Sequence, residues 1–346
     1  MNTSTQSRRH KFEAMDALRG IAALAVVEFH FNGISAHFFR HGYLAVDFFF
    51  LLSGFVLSHA YQQRLDNDWP LGRFLKVRFI RLWPLSTLGL VMGFVLALAG
   101  HSRIKVPISI RESWLFAGLN LFFIPVDLRS PGFMMFPFNP ACWSLFFELI
   151  ANLLHALLFR RVRSGMLVGV CVLSGAVLAW RVHIMGSANI GLNADKIDGY
   201  ARVMFSYTLG MLLFRLWRQS PTARHVSSMS VIVALMLLLA VPALKTTAWY
   251  DIICILLLLP LLVYFSGYAF HGERYEKVLQ ALGRASYGIY VLQFPVVLLL
   301  RWILPPGLHR PFLGLILYPL LISSALVADF YIDTPMRSKL RAWSNA

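Results

Sequence analysis

About ten apolar runs, each near twenty residues long, restrict the fold of this chain more than any other feature. A helix of about 20 apolar residues crosses the hydrocarbon core of a bilayer. The runs are continuous and do not alternate with polar residues, which favours helices over a β-barrel. The sequence therefore predicts an all-α, polytopic transmembrane bundle. The predicted spans are 17–36, 43–61, 83–100, 141–159, 165–184, 200–217, 229–244, 249–267, 285–303 and 312–331.

The net charge of +16 does not indicate binding of nucleic acid, because Lys and Arg residues concentrate in short loops between apolar runs. Loops of this kind are retained in the cytoplasm. The charge distribution is most consistent when the short apolar segment 114–125 does not cross, so we predict a re-entrant or interfacial segment there. Both termini are then cytoplasmic. We expect a multi-pass protein of the bacterial cytoplasmic (inner) membrane, in which residues 1–346 form one domain with no appended soluble domain.

Metal and disulfide chemistry are not expected from the three cysteines. Cys142, Cys171 and Cys254 lie within apolar segments and lack the spacing of metal ligands. Four other side chains are more informative, because ionisable groups at membrane depth are costly and mark functional sites. They occupy the first two runs and are Arg19, Glu28, His30 and Asp47.

Arg19 and His30 share one face of the first predicted helix, because eleven residues correspond to three helical turns. Glu28 projects elsewhere, so the partner of His30 should come from another helix. Glu148 and Asp47 lie at a similar predicted depth, and a carboxylate on one imidazole nitrogen makes the other nitrogen a base. We favour Glu148 as the orienting group and Asp47 as its competitor. The alternatives are a purely structural His30, or a Glu148 that pairs with Arg129 or Arg202.

A second cluster lies in the first inner loop, where Arg78 and Arg81 are one helical turn apart. Paired guanidinium groups bind phosphate well, so a cytoplasmic donor with several phosphates fits this cluster. The alternative is ordinary inner-loop charge.

Several segments of the chain resemble the acyltransferase-3 family of bacterial integral-membrane acyltransferases. The most specific is an Arg and a His separated by ten residues, here Arg19 and His30; Arg-x-x-Arg at Arg78 and Arg81 is a weaker sign. The sequence differs from many members at Gln293, where a His is frequent, and at Glu28, which is usually apolar. The matching segments are MDALRGIAALAVVEFHF, GYLAVDFFFLLSGFVL, RFIRLWPL, WSLFFE and GRASYGIYVLQFPV.

The resemblance implies transfer of an acyl group, often acetyl, from cytoplasmic acyl-CoA to a hydroxyl of a carbohydrate or glycoside at the outer side of the membrane. It makes His30 the catalytic histidine, with Arg19 as its required partner. Arg78 and Arg81 become the contacts to the CoA phosphates. Asp47 and Glu148 match acidic positions of the family's motifs, and no metal is implied.

Two mechanisms are compatible with this resemblance: His30 deprotonates the acceptor hydroxyl, or it briefly carries the acyl group. Without an appended hydrolase-like domain, the transfer has to finish within the membrane domain or with a separate partner. The competing function is a transporter or flippase for a glycan or lipid-linked substrate, which also explains buried charge. A non-catalytic scaffold leaves that charge unexplained.

Overall fold

The computed structural model describes residues 12–31, 38–67, 69–100, 108–126, 134–159, 161–191, 196–220, 226–242, 247–270, 273–304 and 310–345. Helices make up 83% of it, so the predicted all-α class is confirmed. The other regular structure in these ranges is a pair of two-residue parallel strands, β1 (Val226–Ser227) and β2 (Ala269–Phe270).

The helices follow one another with short connections. They are α1 (Glu13–His30), α2 (Ala45–Asp66), α3 (Leu71–Leu98), α4 (Ile110–Leu121), α5 (Cys142–Leu154), α6 (Ser164–Met185), α7 (Lys196–Gln219), α8 (Ser228–Leu239), α9 (Ala248–Ile253), α10 (Leu259–Ser266), α11 (Glu273–Ile303), α12 (Arg310–Ala328) and α13 (Thr334–Asn345). Three π-helical segments extend α5, join α9 to α10 and join α12 to α13; they are His155–Phe159, Cys254–Leu258 and Asp329–Asp333.

Six helical stretches of the described chain are long and apolar enough to cross a membrane, which makes this a multi-pass membrane protein. Each overlaps a predicted span, although the stretches Leu71–Leu98 and Gly314–Trp343 extend about twelve residues beyond it. The other four predicted spans are also helical, but α5 and α8 are shorter, α1 carries several ionisable groups and α7 is polar at both ends. The six stretches are Gly42–Leu65, Leu71–Leu98, Ser164–Met185, Ala248–Ser266, Lys277–Ile303 and Gly314–Trp343.

The predicted re-entrant or interfacial segment 114–125 overlaps α4, a helix of 12 residues that begins four residues earlier, at Ile110. Such a helix rises about 18 Å, which is too short for the hydrocarbon core. A capping box between Ser109 and Glu112 starts it, and the indole nitrogen of Trp83 donates to the Leu121 carbonyl at its other end over 3.1 Å. α4 therefore lies against α3 as a short attached helix.

Glycines allow two pairs of helices to approach closely. On the α1–α11 contact, a Cβ at Gly20 would lie 2.3 Å from the Leu282 side chain. On the α2–α7 contact, a Cβ at Gly54 would lie 2.1 Å from the Tyr207 carbonyl oxygen, and one at Gly210 would lie 2.2 Å from that of Leu51. Small residues are the usual means by which membrane helices reach this separation. The α1–α11 pair is the one that positions His30.

We expect Gly210→Val to lower the melting temperature of the purified protein, because the added side chain forces α2 away from α7. Overpacking of this kind costs about 1–3 kcal/mol. Gly169→Val on α6 is the matched control, since a Cβ there meets no atom within 4 Å. Equal melting temperatures for the two variants would show that the α2–α7 contact does not depend on Gly210.

Candidate active site

A cavity of about 390 Å³ lies among α1, α2, α3, α5, α11 and α13. Its apolar wall comes mostly from α2, including Phe49, Leu52 and Val56, and Ser144 and Tyr290 also line it. Cations from three helices line the rest. The cavity therefore combines a basic region with an apolar passage, which suits a long ligand that carries an anionic head. The arginines that line it are Arg19, Arg78, Arg81, Arg337 and Arg341.

Glu148 lies on the wall of this cavity. Its Oε1 accepts a hydrogen bond of 2.9 Å from Arg78 and one of 2.6 Å from the Ser53 hydroxyl. The carboxylate that we predicted beside His30 therefore lies beside Arg78, because α5 directs it towards α2 and α3. Of the predicted alternative partners, Arg129 lies outside the described residues and Arg202 binds Asp47.

Arg81 belongs to a charge network that joins α3 to the end of α12. Its Nη1 lies 3.5 Å from Asp333 Oδ2, and Arg337 Nη2 lies 2.7 Å from the same oxygen. Asp329 is 3.4 Å from Arg337. Since α3 begins at Leu71, Arg78 and Arg81 lie one turn apart within this helix, as their spacing predicted. Both guanidinium groups consequently have fixed positions in the cavity wall.

His30 ends α1 and contacts α11 through its Nδ1, which lies 3.2 Å from Oε1 of Gln293. The amide nitrogen of Gln293 donates to the Tyr290 carbonyl over 2.8 Å, so the amide oxygen is the atom that faces the imidazole. An amide oxygen only accepts, so Nδ1 carries the proton in neutral His30. Nε2 then holds the lone pair, which makes it the basic nitrogen of the ring.

His30 lies beyond the far end of the cavity. Tyr290, which lines that end, precedes Gln293 by one helical turn, about 5 Å along α11. Its hydroxyl is 2.7 Å from that of Ser144, and its ring packs edge-on against Phe49 with centroids 5.6 Å apart. These three side chains line the end of the cavity nearest His30. Tyr290 and Gln293 thus make hydrogen bonds to neighbouring helices, Tyr290 to Ser144 of α5 and Gln293 to His30 of α1.

Arg19 lines the cavity and contacts Asp16 one turn earlier at 3.7 Å. α1 is unbroken from Glu13 to His30, so about 16 Å of helix separates Arg19 from His30. Arg19 also lies near the start of α1, while Arg337 comes from α13, and both reach one cavity. The first and last described helices therefore meet at the same end of the bundle.

Asp47 has a partner other than His30. Its two carboxylate oxygens accept from Arg202 at 3.1 and 2.6 Å, and both side chains are almost completely buried. Arg202 also donates to the Ile190 and Tyr43 carbonyls, at 2.7 and 3.2 Å. This pair has the hydrogen bonding that a buried charge requires. The pair joins α2 to α7. Asp47 is thus bonded to Arg202 and not to His30, which is the contact that the predicted competitor role required.

Glu28, which the sequence left without a role, holds the chain that follows α1. Its Oε1 accepts from the backbone amides of Phe38 and Phe39 at 2.6 and 3.2 Å. The Tyr318 hydroxyl donates to the other oxygen at 3.3 Å. An acidic residue at this position therefore satisfies two partly buried backbone donors of the chain that follows α1.

The acyltransferase-3 family model, described as an acyltransferase domain, matches residues 12–332. The chain belongs to this family. "Protein 2 in picA locus" of Rhizobium radiobacter is 36% identical over 186 residues, which cover 50% of this chain and 96% of that protein. No solved structure matches the chain.

Two further relatives of this acyltransferase-3 protein are longer than the part they share with it. A Staphylococcus aureus (strain COL) protein, provisionally named an O-acetyltransferase, is 25% identical over 94% of this chain and 57% of its own length. The peptidoglycan O-acetyltransferase OatA of Listeria monocytogenes is 29% identical over 106 residues, which cover 30% of this chain and 17% of that protein. The chain thus spans little more than half of the Staphylococcus protein.

Sequence reasoning missed three features of this family member's site. Gln293 was not identified as the partner of His30, although it contacts the imidazole directly. Arg337 was not singled out as a site residue, although its spacing from Asp333 by one helical turn was an available sign of an ion pair. Asp251, buried near the start of α9, accepts from Tyr43 and from the Ala188 amide. In the sequence, the one sign that Asp251 is buried was its position in an apolar run.

Proposed function

We propose that this protein is a membrane O-acyltransferase that moves an acyl group, with acetyl as the first candidate, from acyl-CoA to a hydroxyl of a carbohydrate acceptor. One observation carries the proposal: the arginine-lined cavity ends one helical turn from the Gln293 amide that binds His30. A donor bound at the arginines thus has its reactive end directed towards the imidazole.

The donor enters from the end of the bundle where Arg19, Arg78 and Arg81 lie, which is the cytoplasmic end by the distribution of positive charge. The CoA phosphates bind the guanidinium groups, as phosphate and arginine pair through several charge-assisted hydrogen bonds. The apolar wall formed by α2 accommodates the pantetheine arm. The thioester then lies near Tyr290, and the acyl group passes Phe49 and Tyr290 to reach His30.

His30 acts as a general base through Nε2. It takes the proton of the acceptor hydroxyl, and that oxygen attacks the thioester carbonyl. The carbon–sulfur bond breaks, and the departing CoA sulfur takes the proton back from the imidazolium. The products are the acyl ester and free CoA. Gln293 fixes the tautomer that this step requires, and an acyl group carried on the same Nε2 is the alternative route.

A carbohydrate acceptor is supported by the Listeria relative, whose name specifies peptidoglycan as what it acetylates. The acceptor reaches His30 from the end opposite to the arginines, where α1 ends. Because the donor and acceptor enter from opposite ends of the bundle, the proposed location is the bacterial inner membrane.

Purified protein incubated with acetyl-CoA labelled in the acetyl group should release CoA and transfer the label to a glycan acceptor.

We expect the double variant Arg78→Gln, Arg81→Gln to raise the KM for acetyl-CoA by about tenfold or more, since each lost charge-assisted hydrogen bond costs about 1.5–3 kcal/mol. Arg73→Gln is the control for charge, because Arg73 is exposed on the same helix and does not line the cavity. Flux of a glycan across vesicles without release of CoA would instead identify a transporter.

Gln293→Leu should lower kcat by about tenfold, because His30 loses the acceptor that holds its Nδ1 proton. Gln293→Glu tests this positioning role in a way that a structural defect does not imitate. The new carboxylate stabilises the imidazolium, so His30 is protonated more readily. As the pH is lowered, this variant should therefore lose activity at a higher pH than the wild-type enzyme does. A pH–rate profile of Gln293→Glu that is identical to wild type would remove Gln293 from the mechanism.

A further inference from the structure

The last helix, α13, contributes two arginines to the cavity, and neither is part of the Arg-x-x-Arg pair. Arg337 and Arg341 are four residues apart, so they lie on the same face of α13. α13 packs against α3, which places them near Arg78 and Arg81. Lys339 lies between them on the same helix but is exposed and does not line the cavity.

Asp333, at the junction of α12 and α13, is the carboxylate nearest to this group. It is 1% exposed and lies within 3.5 Å of Arg81 and 2.7 Å of Arg337. Among the described residues, however, neither of its carboxylate oxygens accepts a hydrogen bond. Asp333 therefore holds Arg81 and Arg337 by charge alone. The N–H groups of the two arginines do not make well-directed hydrogen bonds to this carboxylate. The Nε of Arg78 is likewise buried without a hydrogen-bond acceptor in the described part of the chain.

We propose that Arg337 and Arg341 bind phosphate groups of the acyl donor, and that Asp333 is the internal counter-ion that these phosphates replace. Phosphate oxygens supply the well-directed acceptors that Asp333 does not, and guanidinium groups pair with them in the geometry that arginine favours. Asp333 keeps Arg81 and Arg337 together while the donor is absent. This assignment rests on the proposed function, because it requires a donor with phosphate groups in this cavity.

Binding of CoA to the full-length protein in zwitterionic phosphatidylcholine nanodiscs, measured by calorimetry, tests the role of α13. Arg337→Gln and Arg341→Gln should each raise the Kd for CoA by about tenfold, while kcat at saturating acetyl-CoA stays within about twofold of wild type. Lys339→Gln removes the same charge from the same helix and should leave the Kd unchanged. With S-acetylpantetheine, which has no phosphate, both arginine variants should match wild type in kcat/KM.

Asp333→Asn gives a prediction of the opposite sign. If phosphate replaces Asp333, its neutralisation should lower the Kd for CoA by about threefold to tenfold, although the protein without CoA becomes less stable. If Asp333 only stabilises the fold, Asp333→Asn should instead bind CoA more weakly than wild type. Arg341→Gln tests the same subsite if Asp333→Asn does not fold.

The outcomes separate this inference from the proposed function. Wild-type protein that does not bind CoA would overturn both. CoA binding that is equal in wild type, Arg337→Gln and Arg341→Gln would overturn the role of α13 and leave acyl transfer standing. An effect of these variants that appears only with anionic phosphatidylglycerol, and not with CoA, would assign the two arginines to lipid headgroups and also overturn it.

Discussion

Replacement of His30 by alanine is expected to reduce acyl transfer by about 10²–10⁴-fold, the usual contribution of a general base. Gln293, which contacts Nδ1 of the ring, does not titrate, and the Glu148 carboxylate is engaged by Arg78. The fold should persist, since His30 is only half-buried and lies at the last residue of α1. Release of CoA and labelling of the acceptor, measured with labelled acetyl-CoA, provide the two readouts.

The matched control for this loss is His183→Ala. His183 is exposed on α6, packs against Trp249 with ring centroids 5.6 Å apart, and is not a cavity residue. It should retain wild-type activity, and His30→Ala should still bind CoA with wild-type affinity, because the arginines that hold the donor are untouched. Full activity in His30→Ala would exclude the imidazole from the chemistry and with it the mechanism proposed above.

The largest expected change in stability is that of Arg202→Met, at about 3–5 kcal/mol, because it leaves Asp47 buried without its counter-charge. Arg202 is 1% exposed, and its guanidinium group makes hydrogen bonds to α2 and to the backbone at Ile190 and Tyr43. Chemical or thermal unfolding of the purified protein in one detergent measures the effect. The same experiment separates a structural Asp47 from a catalytic one.

The double variant Asp47→Leu, Arg202→Met should recover much of the lost stability, since replacing both members of a buried ion pair with apolar residues is often neutral. Its transfer activity should recover in parallel if Asp47 serves the fold. A stable double variant with no transfer activity would instead indicate that Asp47 takes part in catalysis. If the losses of stability in Asp47→Leu and Arg202→Met simply add up in the double variant, the two residues do not interact, and the pairing itself is contradicted.

The partners of the buried acids show where sequence reasoning stops. Depth along a helix can be estimated from the number of residues to its end, and on that basis Glu148, Asp47 and His30 were placed at one level. Depth does not specify rotation, so each carboxylate turned out to face a different neighbour: Arg78 for Glu148 and Arg202 for Asp47. Gln293, a neutral residue, lies beside the imidazole instead.

What the sequence determined by itself was the class of fold, the approximate location of the membrane-length helices and the family. Apolar runs of span length allow little other than helices in a bilayer, because each backbone hydrogen bond has to be satisfied within the segment. The spacing of Arg19 and His30 also follows from the helical repeat alone, since both lie on one continuous helix.

Only the tertiary structure decided which groups meet. Residues far apart in sequence, such as Arg81 and Asp333 or His30 and Gln293, come together because helices rotate and approach until their surfaces pack. Packing depends on small residues such as Gly20 and on the exact fit of neighbouring side chains, and no local pattern encodes it. The cavity and the contribution of α13 to it therefore became visible only in three dimensions.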